Sequence, residues 1–268
     1  MRTRYEEIRK RVTFLQRIGD ILLVKMPRCG EEEKREIGRA LLELHPRIKT
    51  VCALYRIEGE LRKPKIEVIA GNGTVTIHRE HGILYKIDVS KVMFSKGNAY
   101  ERKRLIELVK PGETIVDMFA GIGYFSLGLG KFSKCRQIIS IEKNKDAYEL
   151  LKENIALNRI EKIKPVLGDC REIAKLKEFK GIADRVIMGY LHGTEKFFPS
   201  ALSFLKQRGV VHYHHLYGKR ELWEGVERDM RALSSEHRCA IEILNRRRVK
   251  SYAPNVYHVV LDLLVEKR

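Results

Sequence analysis

The chain has 268 residues, enough for one large domain or two modest ones with a real core. Its 53 Lys and Arg outnumber 35 Asp and Glu, a net charge of +18 that points to a polyanionic partner, RNA or DNA, more than to a small neutral substrate. No apolar run reaches the length of a membrane span, and the opening MRTRYEEIRKR lacks the apolar segment of a signal peptide, so a cytoplasmic protein without a membrane partner is expected. Cys29, Cys52, Cys135, Cys170 and Cys239 are odd in number and scattered, with no C-x-x-C pair, which predicts neither a zinc site nor a disulfide framework.

Residues 1 to about 26 open on a charged segment and reach a β run over Ile18–Met26, closed by Pro27. Glu31–Leu44 alternates charge with Ile37, Leu41, Leu42 and Leu44 at helical spacing, and His45-Pro46 ends it. Thr50–Arg56 and Lys65–Ala70 read as strands, and Gly71-Asn72-Gly73 as a turn across which Val75–His78 pairs as a hairpin. Leu84–Val89 is a further strand. These elements predict a small α+β module over residues 1–90, rich in positive charge (Arg47, Lys49, Arg56, Arg62, Lys63, Lys65 and Arg79) and expected to contact RNA.

A second domain is expected over residues 91–268, entered through FSKGNAYERKR and a linker helix over 95–110, with Ser95 and Asn98 as candidate N-caps. The stretch TIVDMFAGIGYFSLGL, Thr114 to Leu129, then gives a strand ending in Asp117, a turn holding Gly121 and Gly123, and the start of a buried helix. Glycine belongs in such a turn because a backbone without Cβ lets a ligand lie against the chain and lets the following helix pack closely. Ser126 replaces the third glycine of a dinucleotide fingerprint, and D-x-F-A-G-x-G-x-F, which includes Phe119, resembles motif I of the class I S-adenosylmethionine (AdoMet) transferases.

Gln137–Ile141 is a second strand with Glu142 at its end, about 20 residues beyond the glycine turn, where a carboxylate accepts ribose hydroxyls. Asp146–Asn158 is an amphipathic helix, and Ile163–Val166 a strand leading into Gly168-Asp169-Cys170, where a strand-end Asp can bond an adenine amino group. Ala183–Met188 is the fourth, buried and parallel strand, followed by Gly189-Tyr190-Leu191-His192-Gly193-Thr194. Glu195–Lys206 reads as a helix, and Gly209–Tyr213 as a fifth strand followed by His214-His215. On a strand His212 and His214 share a face while His215 points away, so no metal centre is expected there. Glu221–Leu233 is a helix, Ala240–Asn245 a strand, Arg246-Arg247-Arg248 a basic cluster and Tyr257–Val265 the final strand. The sum is an α/β protein, a Rossmann-like, seven-stranded AdoMet-binding domain with a small N-terminal α+β domain.

The order GDILLVKMP, IHREHG, YKIDVSKVMFSKGNAYER, VDMFAGIGYFSL, IEKN, GDCRE, ADRVIMG and YAPNVYHVVLDL resembles the archaeal and eukaryotic tRNA guanosine-37 N1-methyltransferases, and more closely their sister enzymes of wybutosine synthesis, the tRNA 4-demethylwyosine aminocarboxypropyltransferases. The methyltransferases carry N-x-P after the fourth strand and S-P-R-L in the linker, where this chain has Gly189-Tyr190-Leu191 and Ser95-Lys96-Gly97-Asn98. Without the Asn amide a base N–H has lost its obvious acceptor, which favours the sister reaction over methyl transfer to position 37. The resemblance implies a monomer that moves the 3-amino-3-carboxypropyl group of AdoMet onto the modified purine beside the anticodon of tRNA(Phe). It places Ser95 and Arg102 at the methionine end of AdoMet, Glu142 on the ribose, and Asp169 and Cys170 beside the adenine, and it aligns Glu101 and Arg62 with residues that act on the base. A basic RNA-binding protein with a vestigial core is the reading from another class, opposed by Asp117, Gly121, Gly123, Glu142 and Asp169 together.

Overall fold

A computed structural model describes Ile8, Lys10 and residues 12–268, and most of the charged opening segment lies outside the described residues. The chain divides into two compact units, the first ending at Ser95 and the second spanning Lys96–Arg268.

The first unit holds β1 (Phe14–Ile18), β2 (Ile21–Lys25), α1 (Glu31–Leu44), β3 (Thr50–Glu58), β4 (Lys63–Gly71), β5 (Val75–Glu80) and β6 (Ile83–Asp88). Strands β1 to β4 form one sheet in that order, and β5 and β6 a separate ribbon. The β run expected over Ile18–Met26 is β2, while Ile18 closes the preceding strand β1, which folds back onto β2 at Gly19-Asp20. Gly19 takes φ +55°, and a Cβ there would lie 2.1 Å from Thr76 Oγ1, so only glycine fits the turn. The hairpin expected across Gly71–Gly73 does not form: β4 pairs with β3, and β5 with β6. Gly71 packs where a Cβ would meet Lys49 O at 2.0 Å, so this turn passes the chain from one sheet to the other. The hairpin turn is instead His81-Gly82, with φ of 48° and 78°, the two left-handed residues that match the twist of paired strands. One face of α1 buries Ile37, Ala40 and Leu41 against Leu22, Val24, Val51, Ala53 and Ile69.

The second unit begins with a 3-10 turn over Lys96–Asn98 and α2 (Ala99–Leu108). Asn98 occupies the N-cap position of α2 but its side chain makes no capping bond, and Ser95 lies outside the cap. The sheet follows through β7 (Thr114–Asp117), α3 (Ser126–Phe132), β8 (Gln137–Glu142), α4 (Lys145–Leu157), β9 (Ile163–Leu167), α5 (Cys170–Ile173), β10 (Ala183–Met188), α6 (Phe198–Phe204), β11 (Leu205–Gly218), α7 (Leu222–Glu236), β12 (Cys239–Ala253) and β13 (Val256–Lys267). Its seven strands run in the order β12-β13-β11-β10-β7-β8-β9. Strands β11, β10, β7, β8 and β9 are parallel neighbours, while β13 enters antiparallel to β11 and β12 pairs antiparallel with β13. The winding reverses between β7 and β10, so a ligand crevice is expected outside the carboxyl ends of those strands.

Three boundaries differ from the sequence reading. The helix expected over Glu195–Lys206 ends at Phe204, because Leu205 opens β11 and is fully buried in the sheet. Strand β11 continues to Gly218, so His214 and His215 lie within it. The cluster Arg246-Arg247-Arg248 is part of β12, which pairs with β13 through to Ala253. Long-range strand pairing carries β11 and β12 beyond the ends that local composition suggested.

Candidate active site

Asp117 ends β7 and is fully buried. Burial pushes its carboxyl up to about 6, opposed by the bonds it accepts from Ser126 Oγ at 2.7 Å and from the Phe119 N–H at 3.4 Å. The turn after it holds Gly121 at φ +57° and Gly123 at φ +96°, a shape that L side chains rarely adopt. A Cβ on Gly121 would come within 2.3 Å of the Tyr124 ring, and one on Gly123 within 2.6 Å of Leu127.

Glu142, at the end of β8, is fixed across this turn. Its Oε2 accepts from the Gly121 N–H at 2.7 Å and its Oε1 from the Asn144 N–H at 2.6 Å. Burial raises its carboxyl, against those backbone bonds. Each oxygen keeps a lone pair beyond the bond it makes, which suits ribose hydroxyls as donors.

Asp169 caps α5 and is more heavily engaged. Arg171 donates to both its oxygens, with Nη2 at 2.6 Å, and Lys143 Nζ stands 3.2 Å away. The Arg171 guanidinium holds the carboxyl well below the usual range, so an adenine amino group would share Asp169 with two cations. Cys170 packs in the main core at 3% exposure, and burial pushes its thiol up to about 12. It is a neutral apolar neighbour there and no nucleophile.

Phe119 stands in a wall of aromatic rings. It stacks on Tyr190 at a centroid distance of 5.1 Å and meets Phe197 edge-on at 5.0 Å. Tyr190 follows β10 and also meets His192, whose Nε2 lies 3.0 Å from Tyr252 Oη. A planar base fits such a surface, since every base has a π-face to stack. Gly189, between Met188 and this wall, lies where a Cβ would press on Phe125 Cε2 at 3.0 Å.

Glu101 and Arg102 are buried on α2. Glu101 Oε2 accepts from Arg104 Nε at 2.9 Å, and Arg247 Nε lies 3.0 Å from Oε1, an ion contact with poor angles for a hydrogen bond. Arg104 reaches on to Asp262 with a two-pronged bond at 2.6 and 3.0 Å. Asp262 Oδ1 lies 2.6 Å from His212 Nδ1, and His212 Nε2 lies 2.6 Å from Arg185 Nη1, whose Nε donates to Glu113. Burial lowers the His212 pKa, so the ring is neutral and its Nδ1–H tautomer satisfies both neighbours. In the HYHH segment His214 Nδ1 lies 3.1 Å from His258 Nε2, and among the described residues no group of three or more His, Cys, Asp or Glu is set to hold a metal ion. The sequence reading missed the roles of Ser126, Tyr190, Arg104 and Asp262. Ser126 alone left a signal, as the residue in place of a third glycine.

The second unit thus brings Asp117, Phe119, Gly121, Gly123, Glu142, Asp169 and Cys170 to the carboxyl ends of neighbouring strands. Ser95 closes the first unit, and Arg62 belongs to it too, in the turn between β3 and β4 at φ +53° with Nη2 3.6 Å from Met93 Sδ. A buried carboxylate and a half-buried one at two strand ends and a turn that tolerates no Cβ fit the adenosyl part of AdoMet, and with this strand order they define a class I AdoMet-dependent transferase.

The comparisons narrow that class. The TRM5/TYW2 methyltransferase domain matches residues 76–242 and the TYW2 N-terminal domain residues 4–74. The chain belongs to the TRM5/TYW2 family. It is 41% identical over 257 residues to the tRNA(Phe) (4-demethylwyosine(37)-C(7)) aminocarboxypropyltransferase of Methanocaldococcus jannaschii, covering 94% of this chain and 98% of the relative. It is 38% identical to the tRNA (guanine(37)-N(1))-methyltransferase Trm5b of Pyrococcus abyssi, over 92% of this chain and 73% of the relative. The crystal structure of Pyrococcus horikoshii TYW2 in complex with MeSAdo superposes with a TM-score of 0.84 at 38% identity, covering 98% of this chain and 95% of that one.

Proposed function

We propose that this chain transfers the 3-amino-3-carboxypropyl group of AdoMet to C7 of 4-demethylwyosine at position 37 of tRNA(Phe), releasing methylthioadenosine. The relative at 41% identity and near-complete mutual coverage bears the name of this reaction, and the relative solved with MeSAdo holds its by-product. Gly189 is in keeping with this reading over methyl transfer: it offers no side-chain amide to accept a base N–H, and a Cβ there would press on Phe125 Cε2 at 3.0 Å.

AdoMet supplies a sulfonium whose three adjacent carbons are all electrophilic, so positioning decides which one is attacked. In the proposed reaction a C–C bond forms at C7 of the base, the bond between sulfur and the methionine γ-carbon breaks with its electron pair leaving on sulfur, and the C7 proton is lost. Glu142 holds the ribose, Gly121 and Gly123 admit the nucleoside, and Asp117, anchored by Ser126, fixes the turn. Asp169 and Cys170 border the adenine, and Phe119 with Tyr190 offers a flat surface to a ring. Ser95 and Arg102 are assigned to the methionine end, where the Arg102 guanidinium can pair with a carboxylate. Glu101 and Arg62 are assigned to the acceptor base. The positive charge of the N-terminal module, residues 1–90, suits phosphate contacts with the tRNA. The enzyme is read as a monomer of the cytoplasm that works away from membranes, and no helix among the described residues is long and apolar enough to cross one.

The test is to incubate the protein with AdoMet and with tRNA(Phe) bearing either guanosine or 4-demethylwyosine at position 37, and to identify the nucleoside by-product by chromatography. Methylthioadenosine formed only with the tricyclic base is the expected result. S-adenosylhomocysteine formed with guanosine would make the chain a methyltransferase.

A further inference from the structure

Strand β12 is an edge of the seven-stranded sheet, and over Asn245–Ala253 (NRRRVKSYA) it carries four cations and no acid. Three successive guanidinium groups each lie on an aromatic ring. Arg246 sits over Trp223 at 5.2 Å, Arg247 over Tyr100 at 3.7 Å and Arg248 over Tyr257 at 4.6 Å. Consecutive pairing with Leu261, Val260 and Val259 puts Arg246 and Arg248 on one face of the strand, about 6.5 Å apart. Arg247 lies on the other face, against Glu101. Arg246 and Arg248 are exposed, and Arg246 pairs with Glu227 at 3.4 Å, a half-exposed contact that holds it weakly.

Cations on an edge strand also discourage pairing between molecules. That role needs charge alone, and it does not explain a ring beneath each guanidinium. A guanidinium resting over an aromatic ring is restrained before it binds, so it loses less freedom on gripping a phosphate in two-pronged fashion. The same strand then leads to the aromatic wall: Tyr252, 38% exposed, contacts His192, which adjoins Tyr190.

We propose that the exposed edge of β12, from Arg246 to Tyr252, is the docking track for the sugar-phosphate backbone of the tRNA substrate, with Arg246 and Arg248 each holding a phosphate. The track rests on the reading of this chain as a tRNA-modifying enzyme and states which surface of the second unit the RNA follows.

The experiment compares the full chain with the double variant Arg246→Gln/Arg248→Gln in tRNA binding over a salt series, alongside AdoMet affinity and thermal unfolding. Two lost phosphate contacts should reduce the slope of log K against log salt by about 1.5 to 2 and weaken binding by roughly 10-fold or more at low salt. AdoMet affinity and the unfolding temperature should be unchanged. The charge-matched control Lys152→Gln/Lys175→Gln, at exposed positions on α4 and in the turn after α5, should keep the wild-type slope. Trp223 is the only tryptophan of the chain, so its emission should change when tRNA covers Arg246 in the wild type and respond less in the double variant. An unchanged slope and affinity in the double variant, or an equal loss in the control, would overturn the track while wild-type binding left the enzyme reading intact. A wild-type chain that bound no tRNA would overturn both.

Discussion

Ser126 Oγ donates to Asp117 Oδ2 at 2.7 Å, and Ser140 Oγ lies 2.7 Å from Ser126 Oγ, so two hydroxyls from α3 and β8 support the buried carboxylate at the end of β7. The residue that breaks the dinucleotide fingerprint is the one that anchors the first acid of the site.

Replacing Ser126 by Ala removes that donor and leaves a buried carboxylate short of a partner, which costs about 1–3 kcal/mol. Ser126→Ala should lower the unfolding temperature and weaken AdoMet several-fold by calorimetry. The two effects should shrink together at low pH, because a protonated Asp117 needs no donor to stabilise its charge.

His258 gives stability its acid limb. Burial lowers its pKa from 6.5 to about 4, so its neutral form is favoured in the folded state. The unfolded chain binds this proton first as pH falls, so the stabilisation is complete above pH 6.5 and is lost progressively down to about 4. The shift corresponds to roughly 3 kcal/mol. His212 and His214 are lowered in the same direction. His258→Gln should flatten the fall in unfolding free energy over that window, measured by urea denaturation at a series of pH values.

Asp262 joins Arg104 to His212; His212 is fully buried, and the Arg104 side chain is largely covered. Asp262→Asn leaves the Arg104 guanidinium without its two-pronged partner and should destabilise by about 3–5 kcal/mol. Arg104→Met/Asp262→Leu removes that pair while leaving buried Glu101 beside Arg247 alone, so its loss in chemical denaturation should be smaller than the sum of the two single losses.

Gly189→Asn asks whether an amide alone converts the chemistry. Its Cβ would crowd Phe125, so a loss of about 1–3 kcal/mol is expected in thermal unfolding. The by-product with 4-demethylwyosine tRNA should remain methylthioadenosine, and a switch to S-adenosylhomocysteine would show that position 189 decides the reaction.

Cys170 should resist alkylation. A thiol pushed up to about 12 and buried in the core has almost no thiolate at pH 8. Iodoacetamide followed by mass spectrometry should label it only after denaturation.

Residues close in sequence explain what the chain made legible on its own. Asp117, Gly121, Gly123 and Ser126 lie within one strand-turn-helix, and strand period, left-handed turn and helix onset are all local properties. Glu142 and Asp169 followed because each ends an apolar run whose direction a parallel sheet fixes. The Gly71–Gly73 turn misled for the same reason: local turn chemistry signals that the chain bends and leaves open which strand it will join. The tertiary structure alone decided that β5 pairs with β6, that the arginine cluster is part of an edge strand, and that Arg104 meets Asp262 across a separation of 158 residues. Those choices depend on long-range register and on burying charges in pairs, and neither leaves a period in the sequence.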